Sequence, residues 1–157
     1  MKPKSGIVLF SGLLAGTLDI LAAILIYSVI LQKTTAEKII QSIASGLFKQ
    51  NAYTGGSQMI LYGLLLHYFI AFAFAYFYYK IYPHVPLLRK NIFLSGFVYG
   101  IFVWIVMNLI VLPLVFPKLP SKEFDFPLIL SILILIFCIG LPIAFITQKF
   151  YHKNVVI

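Results

Sequence analysis

Four apolar segments dominate this sequence, and each is longer than the roughly 18 residues that mark a transmembrane helix. Of the 157 residues, 62% are hydrophobic and 10% are charged, whereas a soluble domain carries about 25% charged residues. Because lipid offers the backbone no hydrogen-bond partners, such segments cross a membrane as α-helices. The sequence therefore predicts a single all-α membrane domain, residues 1–157, with four transmembrane helices in an up-down bundle. The predicted helices cover residues 6–31, 58–80, 92–116 and 128–150.

The connection between the first two helices contains a further predicted helix, at about residues 35–48. Thr34–Glu37 fits a capping box, in which a threonine and a glutamate satisfy backbone N–H groups at a helix start. Apolar residues recur at helical spacing from Ile39 to Phe48, and polar residues fill the opposite face. Such an amphipathic helix lies in the membrane interface. It either covers the mouth of the bundle, which we favour, or acts as a gate or lid.

The distribution of Lys and Arg predicts the orientation in the membrane. Four helices place both termini on one side, and that side carries seven basic residues against five on the other. Lys and Arg accumulate on the cytoplasmic side of membrane proteins. We therefore expect a multi-pass membrane protein with cytoplasmic N- and C-termini. The seven residues are Lys2, Lys4, Lys80, Arg89, Lys90, Lys149 and Lys153, and the five are Lys33, Lys38, Lys49, Lys118 and Lys122.

An acid, an imidazole and an amide lie inside three different helices: Asp19, His67 and Asn108. An acid at such a depth costs about 2.5–3.5 kcal/mol on insertion scales, so the fold must shelter it. At about 1.5 Å per residue, the three lie about 18, 14 and 12 Å from the outer helix ends, which predicts a shared buried polar site. Two interpretations stay open. The site is a structural contact that locks the helices together, which we favour, or Asp19 and His67 relay a proton while Asn108 orients a ligand or water.

Glycines mark the helix faces that allow close approach. Gly12 and Gly16 share one face of the first helix, and Gly96 and Gly100 share one face of the third. Because both pairs lie in the inner half of the membrane, we expect helices one and three to cross there. A further stripe at four-residue spacing, typical of a packed interior face, consists of Gly63, His67, Ala71 and Ala75.

Pro113 and Pro142 fall inside the predicted third and fourth helices. Proline has no N–H group, so each leaves a carbonyl one turn earlier without its helical partner, at Leu109 and Cys138. In lipid, neighbouring helices, side chains or water must satisfy such carbonyls. We therefore expect kinks at both prolines, which would widen the bundle near the polar site.

The two halves of the chain resemble each other. Ser11–Gly16 matches Ser95–Gly100 near the starts of helices one and three. Ile70–Phe72 matches Ile143–Phe145 in helices two and four. A duplicated hairpin would explain both matches, and chance similarity between apolar sequences would explain them as well.

Aromatic residues cluster at the end of the second helix. Tyr and Trp are enriched at membrane–water interfaces, so we expect an aromatic belt rather than a ligand-binding aromatic box. The cluster consists of Tyr76, Phe77, Tyr78, Tyr79 and Tyr82.

The sequence carries no motif for a metal or a cofactor: it has no His-Glu-x-x-His, no phosphate-binding loop and no Gly-x-Ser-x-Gly elbow. His67, His84 and His152 lie on distinct segments, so a shared metal site is not expected. The net charge of +8 fits the basic flanks of membrane helices better than nucleic-acid binding. We therefore expect the lipid bilayer as partner, with no cofactor, no metal and no nucleic acid, and we do not favour an enzyme.

Several segments together resemble a group of small bacterial inner-membrane proteins of uncharacterised activity. The resemblance rests on SGLLAGTLDILAA, IASGLF at Ile43–Phe48, GLLLHYFIAFAFAYFY, SGFVYG and MNLIVLPL. It implies a four-helix inner-membrane protein and no particular activity.

Three functions follow from these patterns. We favour a structural or accessory bundle held by a buried polar contact, which assembles with itself or with a larger membrane complex. The alternatives are proton-linked transport of a small molecule or ion through Asp19, His67 and Asn108, and a lipid-modifying membrane enzyme, which has the least support. Transport predicts a water-accessible cavity that reaches Asp19. An accessory role predicts a packed interior and an outward glycine face. A lipid enzyme predicts a cleft beside His67 that opens sideways to lipid.

Overall fold

The structure is a computed structural model that describes residues 4–118 and 125–155, with side chains for residues 6–118 and 125–152. The described residues form helices and no strand, and four helices are long and apolar enough to cross a membrane. The predicted fold class is therefore confirmed, and the four helices lie within two residues of the predicted bounds. We call them spans 1 to 4: Gly6–Ile30, Gly56–Ile81, Ile92–Val115 and Phe126–His152.

The helical segments have the following bounds. Regular α-helix covers Lys4–Ala23, Gly56–Ile81, Ile92–Ile105, Leu112–Val115, Phe126–Ile134 and Leu141–Val155. Three π-helical segments cover Ile24–Ile30, Val106–Val111 and Leu135–Gly140. Outside the spans lie the amphipathic helix Ala36–Phe48, the 3₁₀-helix Lys49–Tyr53 and a short connecting helix, Pro86–Lys90. Lys2 and residues 119–124, which hold Lys122 and most of the third connection, lie outside the described residues.

Two of the π-helical segments end just before the prolines of spans 3 and 4. Pro113 is the second residue after Val106–Val111, and Pro142 is the second residue after Leu135–Gly140. A π-helix pairs each carbonyl with the N–H five residues later, so the carbonyl that proline leaves unpaired can use the following residue. Both spans thus depart from regular α-geometry at the predicted prolines. The π-helical segment of span 1 contains no proline and was not predicted.

The four spans form a ring in which spans 1 and 3 are diagonal partners. Span 1 packs on spans 2 and 4, and span 3 packs on span 4. Side chains join spans 2 and 3, where the Tyr99 hydroxyl donates to the Phe74 carbonyl over 2.6 Å. Spans that follow each other in the chain are therefore antiparallel neighbours, as in an up-down bundle.

The glycine pairs pack inside their own hairpins, so the predicted crossing of helices one and three is wrong. A Cβ at Gly12 would lie 3.1 Å from the Cα of Phe72 in span 2. A Cβ at Gly96 would lie 2.8 Å from the Cα of Leu141 in span 4. Gly16 and Gly100 make equally close approaches one turn further along each helix. A glycine motif predicts which face packs closely but not which helix packs there.

The two hairpins use the same kind of contact in registers that differ by one helical turn. Gly12 meets Phe72, and the sequence match equates Phe72 with Phe145. Its counterpart Gly96 meets Leu141, which precedes Phe145 by four residues. A duplication therefore remains a hypothesis, with a one-turn slip between the halves as the difference it must explain.

The amphipathic helix packs against the bundle at the end opposite the termini. The Thr35 side chain accepts a hydrogen bond from the Lys38 N–H at 3.3 Å, so the N-cap is one residue later than the predicted capping box. Gly63 of span 2 faces the backbone carbonyl of Ile40. At the other end of the helix, the Lys49 Nζ donates to the Val115 carbonyl of span 3 over 2.9 Å. The helix is thus fixed across spans 2 and 3, as a cover would be.

The contact at Gly63 predicts opposite outcomes for two glycine-to-alanine substitutions. In Gly63→Ala the new Cβ would overlap the Ile40 carbonyl, so we expect a loss of about 1–3 kcal/mol of stability. In Gly46→Ala, within the amphipathic helix, the new Cβ would meet only Val115, at 3.5 Å. Alanine is the better helix former, so this control should be neutral or stabilised. Heat unfolding of both purified variants in detergent measures the difference, and equal losses would contradict the close packing.

Candidate functional site

The buried centre of the bundle is a hydrogen bond between spans 1 and 2. His67 is 9% exposed, and its Nε2 lies 2.7 Å from the backbone carbonyl oxygen of Gly16. A carbonyl only accepts, so Nε2 carries the hydrogen and donates it. Gly16 has no side chain to keep the imidazole away, and neighbouring Ala71 and Tyr68 already fill the space that a Cβ would need. The interior stripe around His67 therefore packs on the glycine face of span 1.

A second hydrogen bond lies beside the first. The hydroxyls of Thr17 and Tyr68 are 2.9 Å apart, one residue further along each helix than Gly16 and His67. Gly16 and Thr17 of span 1 are thus hydrogen-bonded to His67 and Tyr68 of span 2, respectively. In lipid, such interhelical hydrogen bonds contribute roughly 0.6–2 kcal/mol each.

Asp19 lies next to this interface, one helical turn beyond Gly16. It is half-buried, and it lies close enough to His67 of span 2 and Cys138 of span 4 to interact electrostatically with both. Asp19 therefore sits where spans 1, 2 and 4 meet. Within residues 4–118 and 125–155, no three His, Cys, Asp or Glu side chains are grouped closely enough to hold a metal ion.

Asn108 contacts the backbone of its own helix, span 3. Its Nδ2 donates to the Trp104 carbonyl of the same span over 3.0 Å. The Trp104 indole N–H in turn donates to the Ser131 hydroxyl of span 4 over 2.9 Å. A polar site shared by all three residues, Asp19, His67 and Asn108, stays a prediction.

A second polar region, which the sequence patterns did not identify, lies at the termini end of the bundle. Tyr78 of span 2 is fully buried and shares a hydrogen bond with the Ser95 hydroxyl of span 3. Tyr82 is 3% exposed, and burial raises its pKa while the charge of Arg89 opposes that shift. The predicted aromatic belt is thus wrong for Tyr78 and Tyr82, which face the core. Both continue the stripe of Gly63, His67, Ala71 and Ala75 at helical spacing, and that spacing was the available signal.

Two neighbouring polar residues of span 4 complete this region. The Gln148 Nε2 donates to the Arg89 carbonyl over 3.1 Å, which ties span 4 to the connecting helix. The Gln148 Oε1 and the Thr147 hydroxyl are buried and have no hydrogen-bond partner among the described residues. The region holds spans 2, 3 and 4 together at this end.

Comparison with known proteins adds no relative. No family model matches the sequence, and neither a curated protein nor a solved structure is significantly similar to it. The resemblance to small bacterial inner-membrane proteins therefore stays a prediction.

Two substitutions of His67 test the bond to Gly16. The Nε2 of a glutamine side chain can reach about the same position as the imidazole Nε2, whereas asparagine is one methylene too short. We expect His67→Gln to retain most of the stability and His67→Asn to lose about 0.5–1.5 kcal/mol or more, the net value of a hydrogen bond. Thermal midpoints in detergent measure both, and equal losses would show that Nε2 makes no important contact.

Proposed function

We propose that this chain is a structural or accessory protein of the bacterial inner membrane, with both termini in the cytoplasm. The observation that carries the proposal is the His67–Gly16 bond. It commits the most deeply buried imidazole to holding two helices together, at a place where glycine already brings the backbones into contact. A group that serves packing in this way has the role of an interhelical clamp.

The amphipathic helix supports the same role. It is fastened at both ends, by the Ile40–Gly63 contact and by the Lys49–Val115 hydrogen bond, and it crosses the end of the bundle opposite the termini. A cover fastened in this way favours a static bundle over a gated one. The glycine pairs face inward, so a partner protein or second copy would bind the exposed aliphatic and aromatic surface rather than the outward glycine face that we expected.

Proton-linked transport is the second candidate, and one observation favours it. Asp19 and His67 lie close enough to interact electrostatically, and the Gly16 contact occupies only one of the two imidazole nitrogens. An acid and an imidazole adjacent inside a membrane form the kind of pair that relays protons in transporters. The transport hypothesis assigns ligand binding to Asn108, whose Nδ2 donates to the Trp104 carbonyl of its own span.

A lipid-modifying enzyme has less support. It would need a cleft open to lipid beside His67, and the sequence carries no nucleophile–base or metal motif to support such an enzyme.

Proton flux in liposomes separates the first two functions. We expect wild-type protein to pass no more protons than protein-free liposomes, with a pH-sensitive dye inside and an imposed potassium diffusion potential. We expect Asp19→Asn to fold and to change stability by less than the roughly 1 kcal/mol of a hydrogen bond, since the clamp does not use the Asp19 carboxylate. His67→Asn is the matched control, which should lose stability without changing flux. Wild-type flux that disappears in a well-folded Asp19→Asn variant would overturn the structural role and establish transport.

A further inference from the structure

A groove on the outer surface of the bundle runs between spans 3 and 4 and encloses about 460 Å³. Its walls are apolar and strongly exposed: Phe93 is 74% exposed, Phe97 50% and Phe137 61%. Leu94, Ile136 and Leu141 complete the walls, and Asn91 lies at one end.

The groove exists because the two helices touch through their backbones. A Cβ at Gly140 of span 4 would overlap the Gly96 carbonyl of span 3, and Gly100 lies equally close. When backbones meet in this way, the large side chains on either side of the contact must point away from it. The phenylalanines therefore stand as walls on both sides of a narrow channel, a shape that suits a single flexible chain rather than a helix.

Three basic residues gather at the termini end of this groove. Arg89 and Lys90 directly precede Asn91, which lines the groove, and both are exposed. Lys149 of span 4 is exposed as well, and its Nζ lies 5.6 Å from the centre of the Phe145 ring. The hydrogen bond from Gln148 to the Arg89 carbonyl brings these two helix ends together.

The backbone adds further positive potential at the same place. Span 3 begins at Ile92, and the Asn91 Oδ1 caps the N–H groups of Phe93 and Leu94 at 2.8 and 3.3 Å. A helix N-terminus carries a partial positive charge of about half an elementary charge, which acts together with the basic side chains. The termini end of the groove is therefore suited to an anion, and the apolar walls along the rest of the groove are suited to a hydrocarbon chain.

We propose that this groove binds one anionic phospholipid, with the phosphate at Arg89, Lys90 and Lys149 and an acyl chain along the phenylalanine walls. Basic sites between transmembrane helices bind anionic headgroups in this manner. From Asn91 to Phe97 the groove is about 9 Å long at roughly 1.5 Å per residue. That length covers more than half of the roughly 15 Å depth of one hydrocarbon leaflet, so the half of the acyl chain nearest the headgroup would lie against the protein. This inference does not depend on the proposed function.

A second copy of the chain is the competing occupant, and charge argues against it. Two copies in one membrane have the same orientation, so docking groove to groove would bring both basic clusters together at the same depth. Like charges that close repel each other, and the net charge of +8 adds to the effect. An anionic lipid neutralises the same cluster.

Quenching by brominated lipids tests the proposal at a single site. The only tryptophan is Trp104, so Trp104→Phe provides a background in which Phe97→Trp reports the lipid in the groove; the lost hydrogen bond to Ser131 is common to every variant compared. The protein is reconstituted in phosphatidylcholine with a rising fraction of either brominated phosphatidylglycerol or brominated phosphatidylcholine. We expect phosphatidylglycerol to bind at least fivefold more strongly at Phe97→Trp, since each basic residue near the surface contributes about 1 kcal/mol, or roughly that factor. Arg89→Gln with Lys90→Gln should lower the ratio severalfold, and adding Lys149→Gln, which removes the whole preference, should bring it close to one.

Phe10→Trp in the same background is the matched control. Phe10 is 59% exposed and lies five residues into span 1, at nearly the depth of Phe97 in span 3. Its quenching should be unaffected by Arg89→Gln with Lys90→Gln. Equal quenching of Phe97→Trp by both lipids would overturn the proposal. Weak quenching by both lipids, together with dimers seen after chemical cross-linking in the same liposomes, would show instead that a second copy occupies the groove. If Phe97→Trp does not fold, Phe93→Trp places the reporter on the same wall.

Discussion

The close approach of spans 1 and 2 at Gly16 is the contact on which the rest of the bundle depends. Lipid tails are as apolar as leucine, so membrane helices associate through van der Waals packing and hydrogen bonds rather than the hydrophobic effect. Gly16 supplies both, because the absence of a side chain lets His67 come within 2.7 Å of the backbone carbonyl. The same approach pairs Thr17 with Tyr68 and leaves Asp19 between spans 2 and 4.

The two hairpins solve the packing problem in the same way but are stabilised differently. In the first hairpin, glycine contact is combined with the His67 and Thr17 hydrogen bonds. In the second, Gly96, Gly100 and Gly140 bring the backbones together, and the polar link lies further along, from Trp104 to Ser131. Tyr78 and Ser95 then join one hairpin to the other. The ends of the ring also differ, because the amphipathic helix covers one end and the basic groove opens at the other.

The features that the sequence predicted correctly are those that hydropathy and local backbone chemistry determine. The long apolar runs identified all four spans, and the alternation from Ile39 to Phe48 identified the amphipathic helix to within a residue. Both prolines marked departures from regular helix.

The arrangement of the helices around the ring was beyond these patterns. The glycine motif of span 1 gives a face but no partner, so span 3 was expected where span 2 is found. Tyr78 was assigned to the interface by composition, although its spacing from Ala75 places it in the core. These predictions failed because they depended on contacts between helices, and a pattern within a single helix does not show which other helix packs against it.

The central claim is that His67 holds span 1 through the Gly16 carbonyl, and solid-state NMR in bilayers tests it most directly. Histidine labelled with ¹⁵N and glycine labelled with ¹³C at the carbonyl would report the contact between the imidazole nitrogen and the backbone. The structure predicts a protonated Nε2 with a through-space contact to one glycine carbonyl, lost in His67→Asn. A His67 ring that is protonated only at Nδ1, with no glycine carbonyl near Nε2, would contradict the account.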